Sequence, residues 1–526
     1  MAAVAAADRD QALSLAVAAW KAGDRQPFVL MLAAEWLEAN QQPVEALELL
    51  RDATSQETEE PELWRRYGQL LARLGRLDEA LGAFGEALEI DPENLFVLIA
   101  SAEASYRAGS LGKSLDYYRR ADTIRPGNPD TLAAMAAIHV GLQDAAQARE
   151  LAQNCLKLAP RNEVAQIALA RADLLSHQPQ AARARASEVL RRGGADKVAL
   201  LDILAESLDA LDLPSEAFKA YGARNALIER AVAPLVSTQL RERRVDQVRR
   251  IAAWLGSHDH YDSDPNDIQS SKGPAHHAFI VGFPRSGTTL LEKSLVGHPR
   301  ISTLPEVDLL NGAADEFLTS NEGLARLAAA SADELESYRA RYWATATKVI
   351  GDTLDGRLLV DKLPLHTISL PLIVRLFPRA RILFAIRDPR DVVLSCFRRR
   401  FQLNWAMYEM LDLPRAAEFY DAVLTLALEC ERALPLRMLS IRYEAVVADF
   451  ERQMTAILDF VGLEWNENVG RFGDRAGANP RTPSDLQLTK GLNTDGVYQW
   501  PRYRAQLESV LPTLDPWVRH FGYESG

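Results

Sequence analysis

Cysteine, long apolar runs and an excess of positive charge are what this chain of 526 residues lacks. Its three cysteines, Cys155, Cys396 and Cys430, lie far apart and form neither a CxxC pair nor a zinc-ligand or disulfide-framework spacing. Such cysteine usage is expected in a reducing compartment. No stretch approaches the roughly 18 apolar residues that a membrane-spanning helix needs. The 60 lysines and arginines are outnumbered by 72 aspartates and glutamates, and the net charge of −12 disfavours non-specific binding to nucleic acid.

The amino terminus and the overall composition add two further expectations. Residues 1–10, MAAVAAADRD, have no basic segment ahead of their apolar stretch and do not fit a secretory signal peptide. With 48% hydrophobic and 25% charged residues, the chain has the composition of a folded protein. We therefore expect a cytoplasmic protein with no membrane span and no nucleic-acid partner.

A period of 34 residues runs through the first half of the chain, where Pro92, Pro126 and Pro160 are spaced by that step. Further sets share the period: Asn94, Asn128 and Asn162; Ala46, Ala80, Ser114 and Ala148; Ala87, Ala121 and Cys155; Gly75 and Gly109. Small residues at a fixed period let the two helices of a hairpin approach closely. A proline ends the second helix because it has no N–H group to donate. The pattern predicts repeated helical hairpins.

One stretch of this half resembles the tetratricopeptide-repeat signature. The residues that carry the resemblance are Trp64, Tyr67, Gly75, Ala80, Phe84, Ala87 and Pro92. It is strongest over 61–162, and weaker units before and after suggest about six repeats in all. The resemblance implies an α-helical solenoid over residues 1–255 that binds a peptide or protein partner. An irregular helical bundle is the alternative.

Residues 256–275 are polar and rich in glycine, proline, serine and aspartate, which predicts a linker. His258, His260 and the nearby aspartates offer metal-ligand chemistry, but a solvated linker is the favoured interpretation. After it, short apolar runs at 278–282, 358–361, 381–386 and 438–441 alternate with helical segments. This alternation predicts an α/β domain over 276–526 with a central parallel sheet.

The sharpest local signal follows the first of these strands. Residues 282–289, GFPRSGTT, form a glycine-rich turn between a strand and a helix, which is typical of a loop that binds phosphate. The frame is that of a Walker A loop with Thr288 in place of the lysine that contacts the phosphates of ATP. This substitution disfavours a kinase or an ATPase. Arg285, inside the loop, supplies positive charge instead.

A second anion-binding element follows the strand 381–386. Arg387 stands at its carboxyl end, where a guanidinium can bind a phosphate with two parallel hydrogen bonds. Ser395 lies eight residues further on and is expected to face the same site. Between Lys362 and Arg400 the chain has nine basic and two acidic residues, a local charge of +7 in an acidic protein.

Together these motifs resemble the sulfotransferase superfamily. Residues 283–290 resemble its 5′-phosphosulfate loop and 387–395 its 3′-phosphate motif. Further segments resemble the tyrosylprotein-sulfotransferase-like branch and its bacterial relatives with tetratricopeptide repeats: 304–306, 360–364, 441–444, 481–490, Trp500 and Tyr503. The resemblance covers about 276–525. Tyrosylprotein sulfotransferases are Golgi membrane proteins with disulfides, features that this sequence does not show.

The resemblance implies a set of donor-binding residues. The donor is 3′-phosphoadenosine 5′-phosphosulfate (PAPS), and no metal is required. The residues implied for the 5′-phosphosulfate are Arg285, Ser286, Gly287, Thr288 and Thr289. The residues implied for the remainder of the nucleotide are Arg387, Ser395 and Arg399 at the 3′-phosphate, Tyr443 at the adenine and Lys490 at a phosphate.

The same resemblance implies the catalytic groups. Glu306 is the general base that takes the proton of the acceptor hydroxyl. Arg285 and Lys362 stabilise the charge that grows on the leaving oxygen, and Ser484 contacts the reacting end. His298 and His366 are competing candidates for the base, because other sulfotransferases use histidine.

The sequence therefore predicts a PAPS-dependent sulfotransferase whose acceptor is a hydroxyl group. Protein tyrosine is the acceptor that the family suggests, with a glycan or a small-molecule alcohol as alternatives. The repeats are expected to bind the acceptor or another partner. A non-catalytic repeat scaffold and a nucleotide-dependent kinase are the rival functions.

Overall fold

The computed structural model describes residues 2–56, 59–239, 242–258, 276–351, 354, 356–471 and 497–524. Most of the predicted linker lies outside this part of the chain, and so do Ser484 and Lys490. The chain forms two compact units, Met1–Leu213 and Pro214–Gly526.

The first unit is entirely helical over its described residues. Its helices are α1 (Ala2–Lys21), α2 (Pro27–Ala39), α3 (Pro43–Thr54), α4 (Pro61–Arg73), α5 (Leu77–Ile90), α6 (Leu95–Arg107), α7 (Leu111–Ile124), α8 (Pro129–Gly141), α9 (Ala145–Leu158), α10 (Glu163–Leu175), α11 (Pro179–Arg191) and α12 (Lys197–Ala210). From α2 onward the first helix of each pair begins every 34 residues, so the predicted helical hairpins are confirmed.

Side-chain caps explain why the period is so regular. The side chains of Asn94, Asn128, Asn162 and Asp196, each 34 residues after the last, accept hydrogen bonds from backbone N–H groups in the first turns of α6, α8, α10 and α12. The ends of the second helices are equally regular, as predicted from the prolines. Helices α5, α7 and α9 each end two residues before the proline of their repeat.

The small residues of the period lie where the helices meet. Ala46, Ala80, Ser114 and Ala148 are all fully buried. Ser114 is the polar member of the set, and its hydroxyl donates to the Ala102 carbonyl oxygen at 2.7 Å, which compensates for burying it. Sequence periodicity and packing therefore agree through the repeats.

The second unit contains the sheet. Its described elements are α13 (Pro214–Gln239), α14 (Arg244–Ser257), β1 (His276–Gly282), α15 (Thr288–Leu295), β2 (Ile301–Thr303), α16 (Asn311–Phe317), α17 (Asn321–Ala329), α18 (Ala332–Ile350), β3 (Leu358–Lys362), α19 (Leu370–Leu376), β4 (Arg381–Ile386), α20 (Pro389–Arg398), α21 (Trp405–Glu409), α22 (Leu413–Ala433), β5 (Arg437–Arg442), α23 (Tyr443–Ala448), α24 (Phe450–Phe460), α25 (Arg504–Leu507) and α26 (Leu511–His520). Three 3₁₀ turns accompany them: Pro364–Thr367, Glu467–Gly470 and Trp500–Tyr503. No helix in the described ranges is long and apolar enough to cross a membrane.

The five strands form one parallel sheet in the order β2-β3-β1-β4-β5. In the central strand, Ala278 pairs with Val360 of β3 on one side and with Arg381 of β4 on the other. Chain order reverses across β1, and in open α/β sheets ligands bind outside the carboxyl ends of the strands at such a point. The predicted α/β class is confirmed, and β2 is an additional strand of only three residues.

The division between the units differs from the expected boundary at residue 255. Helices α13 and α14 belong to the second unit, and α14 packs along α22. Arg249 of α14 forms an ion pair with Glu418 of α22 at 2.7 Å. An amphipathic helical pattern shows that a helix buries one face, but not which partner covers it. The contacts therefore group these two helices with the sheet, whereas the sequence groups them with the repeats.

Candidate active site

All five strands deliver a predicted site residue to the same edge of the sheet. Arg285 follows β1, Glu306 follows β2, Lys362 ends β3, Arg387 follows β4 and Tyr443 follows β5. Because the strands are parallel, these positions share the carboxyl edge of the sheet. Residues more than 150 positions apart in the chain thus belong to one site.

The loop after β1 has the shape of an anion cradle. Arg285 has a φ of 71° and Gly287 a φ of 97°, so the backbone turns through two left-handed residues before α15 begins. A Cβ atom at position 287 would lie 2.6 Å from Cδ2 of Tyr443, so only glycine fits here. The first N–H groups of α15 have no partners within the helix, and they favour an anion at this end. Thr288 and Thr289 are buried in this first turn.

Arg285 and Arg387 join the two anion-binding motifs. Arg285 donates from Nε to the Ser395 hydroxyl oxygen at 3.1 Å. Arg387 donates from Nη1 to the backbone carbonyl oxygen of Arg285, also at 3.1 Å. Its guanidinium lies 5.2 Å from the ring centroid of Tyr443. The loop after β1, the end of β4 and Tyr443 after β5 are therefore in direct contact.

The cations of this region crowd each other. Burial, together with the positive charges of Arg399 and Arg387, holds the pKa of Arg285 well below its usual range. An anion placed among these groups would relieve both effects. The residues present therefore fit a phosphate or phosphosulfate group.

A network of carboxylates fixes the second motif. Asp388 caps α20 by accepting from the backbone N–H of Arg390 at 2.9 Å, and the Asp388 N–H donates to Glu444 at 3.1 Å. Tyr523 donates its hydroxyl to the other oxygen of Glu444 at 2.7 Å. Asp391 accepts from the backbone N–H of Trp500 at 2.8 Å, and its burial raises its pKa to about 6. The C-terminal segment thereby packs on the helix that carries Ser395.

Lys362 lies between two carboxylates. Its Nζ is 2.9 Å from Oε2 of Glu292 in α15 and also contacts Oε1 of Glu306. Burial alone would lower the pKa of Lys362, but the two carboxylates outweigh burial and raise it. Lys362 is therefore a charged group at the carboxyl edge, one layer behind Glu306.

The two histidines considered as rival bases occupy different positions. His298 accepts from the backbone N–H of Arg300 at 3.1 Å through Nδ1, which is a turn-forming contact. His366 lies on the cleft wall, with Nε2 at 3.2 Å from Asp308 and Nδ1 at 3.6 Å from Asp361. Burial would lower the pKa of His366, but these two carboxylates raise it.

A cleft of about 560 Å³ opens at this edge of the sheet. The predicted residues that line it are Arg285, Gly287, Thr288, Thr289, Glu306, Arg387, Arg399 and Tyr443. Ser286 is buried within the loop, while Lys362 and Ser395 reach the lining through Glu306 and Arg285. Ser484 and Lys490 lie outside the described residues, so their roles stay predictions.

Sequence reasoning missed two contacts of this site. The sequence motifs predict no role for Glu292, which directly follows Leu290 and Leu291 in α15. Glu444 belongs to the motif at 441–444, which predicts no contact for its side chain. Its two partners, Asp388 and Tyr523, lie 56 and 79 residues away in the chain, so no local sequence pattern predicts these contacts.

Two models of known protein families match parts of this chain. A model of the sulfotransferase family matches residues 278–467, which include β2 to β5 and all of β1 but its first two residues. A model of the tetratricopeptide repeat matches residues 61–94, one helix pair of the first unit.

Several curated proteins are similar to the second half of the chain. Protein-tyrosine sulfotransferase A of Caenorhabditis elegans is 26% identical over 260 residues, which are 47% of this chain and 67% of the relative. Protein-tyrosine sulfotransferase 2 of Gallus gallus is 28% identical over 263 residues, 47% of this chain and 69% of the relative. An uncharacterized protein of Aquifex aeolicus (strain VF5) is 23% identical over 260 residues, and the chain spans only 34% of its length.

Among solved structures, a tetratricopeptide repeat protein from Parabacteroides merdae aligns with 40% of this chain and 88% of its own length, at 16% identity and a TM-score of 0.36. The family matches and the residues at the sheet edge lead to one assignment. This chain contains a stretch that matches the tetratricopeptide repeat and, in its second unit, a stretch that matches the sulfotransferase family.

Proposed function

We propose that the protein transfers a sulfuryl group from PAPS to the hydroxyl group of an acceptor, and that tyrosine in a protein is this acceptor. The main support for this proposal is that the loop after β1 is hydrogen-bonded to the motif after β4. These hydrogen bonds involve Arg285, Ser395 and Arg387. PAPS is anionic at both its 5′-phosphosulfate and its 3′-phosphate, and each motif offers positive charge to one of these ends.

In this assignment the loop and the first turn of α15 hold the 5′-phosphosulfate. Arg387, Ser395 and Arg399 hold the 3′-phosphate, and Tyr443 lies beside the adenine. The pairing of Arg387 with a phosphate dianion is charge-assisted, which is the stronger class of hydrogen bond. Lys490 and Ser484 complete the set as the resemblance implies.

The chemical step is an in-line displacement at sulfur. A bond forms between the acceptor oxygen and sulfur while the bond from sulfur to the 5′-phosphate oxygen breaks. Adenosine 3′,5′-bisphosphate leaves, and the acceptor proton passes to Glu306. Arg285 and Lys362 stabilise the leaving oxygen, because positioning and charge account for most of the catalysis in such loose transition states. These groups need no metal ion.

Tyrosine as the acceptor rests on the relatives, several of which bear the name protein-tyrosine sulfotransferase. The repeats supply the second argument, since tetratricopeptide arrays present extended surfaces to peptides. A glycan or small-molecule hydroxyl is the other acceptor to be tested.

A cytoplasmic location is part of the proposal. Cys155, Cys396 and Cys430 are all buried free thiols. Burial raises the pKa of the Cys396 thiol to about 12, which leaves it in its unreactive protonated form. Buried, unpaired cysteines are common where thiols stay reduced.

The test begins with ligand-dependent thermal stability of the full chain. PAPS and adenosine 3′,5′-bisphosphate should raise the melting temperature, and ATP with magnesium should not, because a ligand that binds the native state stabilises it by mass action. Stabilisation by ATP alone would favour a kinase, and no effect of any nucleotide would favour a scaffold. Transfer from labelled PAPS is then compared between a tyrosine peptide, its phenylalanine counterpart and a sugar alcohol. Labelling of the sugar alone would overturn tyrosine as the acceptor.

A further inference from the structure

Lys362 shares its single positive charge between two carboxylates that differ sharply in exposure. Lys362 is 2% exposed and Glu292 8%. The Glu306 side chain is 39% exposed and lines the cleft. One partner of the lysine is therefore an internal counterion, and the other faces the cleft.

Helix α15 fixes the internal partner. Glu292 lies four residues after Thr288, so both side chains are on the same face of the helix, one turn apart. The helix whose first turn borders the anion loop thus also carries the carboxylate that holds Lys362. Glu292 does not line the cleft, and it reaches the reacting groups through the lysine.

The charges decide what this arrangement does. Lys362, Glu292 and Glu306 together carry one net negative charge when all are ionised. If Lys362 paired with Glu306 alone, the lysine would hold that carboxylate in its ionised form and oppose its protonation. Because Glu292 also contacts the lysine, the positive charge beside Glu306 is offset from within the protein.

We propose that Glu292 is a positioning residue that neutralises Lys362 from within and so keeps Glu306 basic enough to take the acceptor proton. The inference rests on the proposed sulfotransfer function and deepens it, because it assigns the tuning of the general base to a residue that does not touch the substrate.

Two other carboxylates near Glu306, those of Asp308 and Asp361, have hydrogen-bond partners of their own. Asp308 lies two residues further along the same loop and pairs with His366 at 3.2 Å. Asp361 is next to Lys362 in β3, and Tyr342 donates to it at 2.7 Å. Each of these carboxylates thus has its own hydrogen-bond partner, whereas Glu292 and Glu306 meet at Lys362.

The test is the Glu292→Gln variant of the full chain, measured against wild type and against Glu322→Gln, an exposed position in α17. Glutamine keeps the size of the side chain and can still accept from Lys362, so folding should be retained. Lys362 then attracts Glu306 alone. We expect the acid limb of the kcat profile to move by about one pH unit to lower pH, and the plateau rate to fall about 3- to 10-fold as the base weakens.

A second measurement separates this role from a structural one. Adenosine 3′,5′-bisphosphate has no sulfuryl group and should bind Glu292→Gln as it binds wild type. A loosened α15 would instead weaken nucleotide binding and lower the melting temperature while leaving the acid limb in place, and this result would overturn the proposal. In a Lys362→Met background, Glu292→Gln should no longer move the limb, and a limb that still moves would also overturn it.

Should Glu292→Gln fail to fold, Glu292→Asp replaces it. The shorter side chain loosens the pairing with Lys362, so the limb should move in the same direction but by less, and an unmoved limb overturns the proposal. A wild-type protein that neither binds the nucleotide nor transfers sulfate would refute the proposed function itself. An active wild type with an unmoved limb in the variants would refute this inference alone.

Discussion

Arg285 and Ser395 are 110 residues apart in the chain and are joined by a hydrogen bond of 3.1 Å. The arginine belongs to the loop after β1 and the serine to the helix after β4, and these strands are neighbours in the sheet. Two motifs that the sequence predicts separately are therefore in direct contact at one basic surface. The first predictions follow from this contact and its neighbour Arg387.

Arg387→Ala should weaken binding of adenosine 3′,5′-bisphosphate more than Arg285→Ala does. Arg387 is assigned to the 3′-phosphate and also donates to the Arg285 carbonyl oxygen, so its loss removes a ligand contact and a support of the loop. Charged hydrogen bonds of this kind are worth about 1.5–3 kcal/mol, which corresponds to a roughly 10- to 150-fold higher Kd. Calorimetry measures the effect. The control is Arg437→Ala, at the amino end of β5 and therefore at the edge of the sheet away from the cleft. Wild-type affinity in Arg387→Ala would remove Arg387 from the site.

Much of the fold could be predicted from the sequence because its signals are local. The 34-residue period consists of prolines, helix-capping residues and small residues, each of which determines structure within one helical hairpin. The strands at 278–282, 358–361, 381–386 and 438–441 are continuous apolar runs, and the structure extends them by no more than two residues at either end. The loop after β1 could also be predicted, because its glycines and its arginine form a local sequence pattern.

What the sequence could not predict depends on partners distant in the chain. β2 has three residues and gives no periodic signal. The pairing of Glu292 with Lys362 and the contacts of Glu444 form only when the sheet assembles. The neighbour of α14 is likewise a property of the folded unit, since an apolar helix face fits many partners.

A fragment that begins at residue 214 should fold and bind nucleotide, whereas one that begins near residue 259, at the predicted linker, should not. Arg224 of α13 is fully buried and donates to the carbonyl oxygens of Arg398 at 3.1 Å and Phe397 at 3.2 Å. These carbonyl groups end α20, the helix that carries Ser395. Thermal unfolding with and without adenosine 3′,5′-bisphosphate compares the two fragments. Equal stability of both would show that α13 and α14 are dispensable.

A point variant tests the same contact in the full chain. Arg224→Ala removes the donor to the Arg398 carbonyl oxygen, whereas the Phe397 carbonyl oxygen keeps a hydrogen bond from Asn225 Nδ2 at 3.0 Å. The variant should lower the free energy of unfolding by about 1–3 kcal/mol. Arg230→Ala, at an exposed position of the same helix, should change it little. Chemical denaturation measures both, and an equal effect of the two variants would contradict the capping role.

Asp391 should make the second unit lose stability as pH rises. Burial raises its pKa from 3.8 to about 6, so the folded protein holds a proton that the unfolded chain releases. This stabilising contribution is complete below pH 3.8 and is lost as the pH rises through about 6. Asp391→Asn should therefore gain stability relative to wild type across this window, by up to about 3 kcal/mol. Denaturation at a series of pH values, with exposed Asp459→Asn as the control, measures the difference. Parallel curves for Asp391→Asn and wild type would contradict the shift.

Sulfotransfer should need no divalent metal. The proposed charge stabilisation comes from Arg285, Arg387 and Lys362, and the loop carries Thr288 where a nucleoside-triphosphate loop has lysine. The rate with PAPS should be the same before and after treatment with EDTA. Loss of activity in EDTA followed by recovery with magnesium would contradict this prediction.

Glu306→Gln is the variant on which the assignment of the base depends. Glutamine keeps the size of the side chain and can still accept a hydrogen bond from Lys362, but it cannot take the acceptor proton. Turnover should fall by about 10²- to 10⁴-fold, the usual effect of losing a positioned general base. The affinity for adenosine 3′,5′-bisphosphate should stay near that of wild type, because Glu306 is assigned to the acceptor and not to the nucleotide.

The pH profile and the two histidines complete this test. The residual activity of Glu306→Gln should have no acid limb, since the titrating group is gone. His298→Gln should retain most of its turnover, because His298 accepts a backbone hydrogen bond within a turn. His366 lies on the cleft wall and is the stronger rival, as its pairing with Asp308 and Asp361 resembles that of a catalytic histidine. If His366→Gln abolishes turnover and the acid limb while Glu306→Gln stays within about threefold of wild type, the base is His366, because a positioned base cannot be removed at so small a loss of rate.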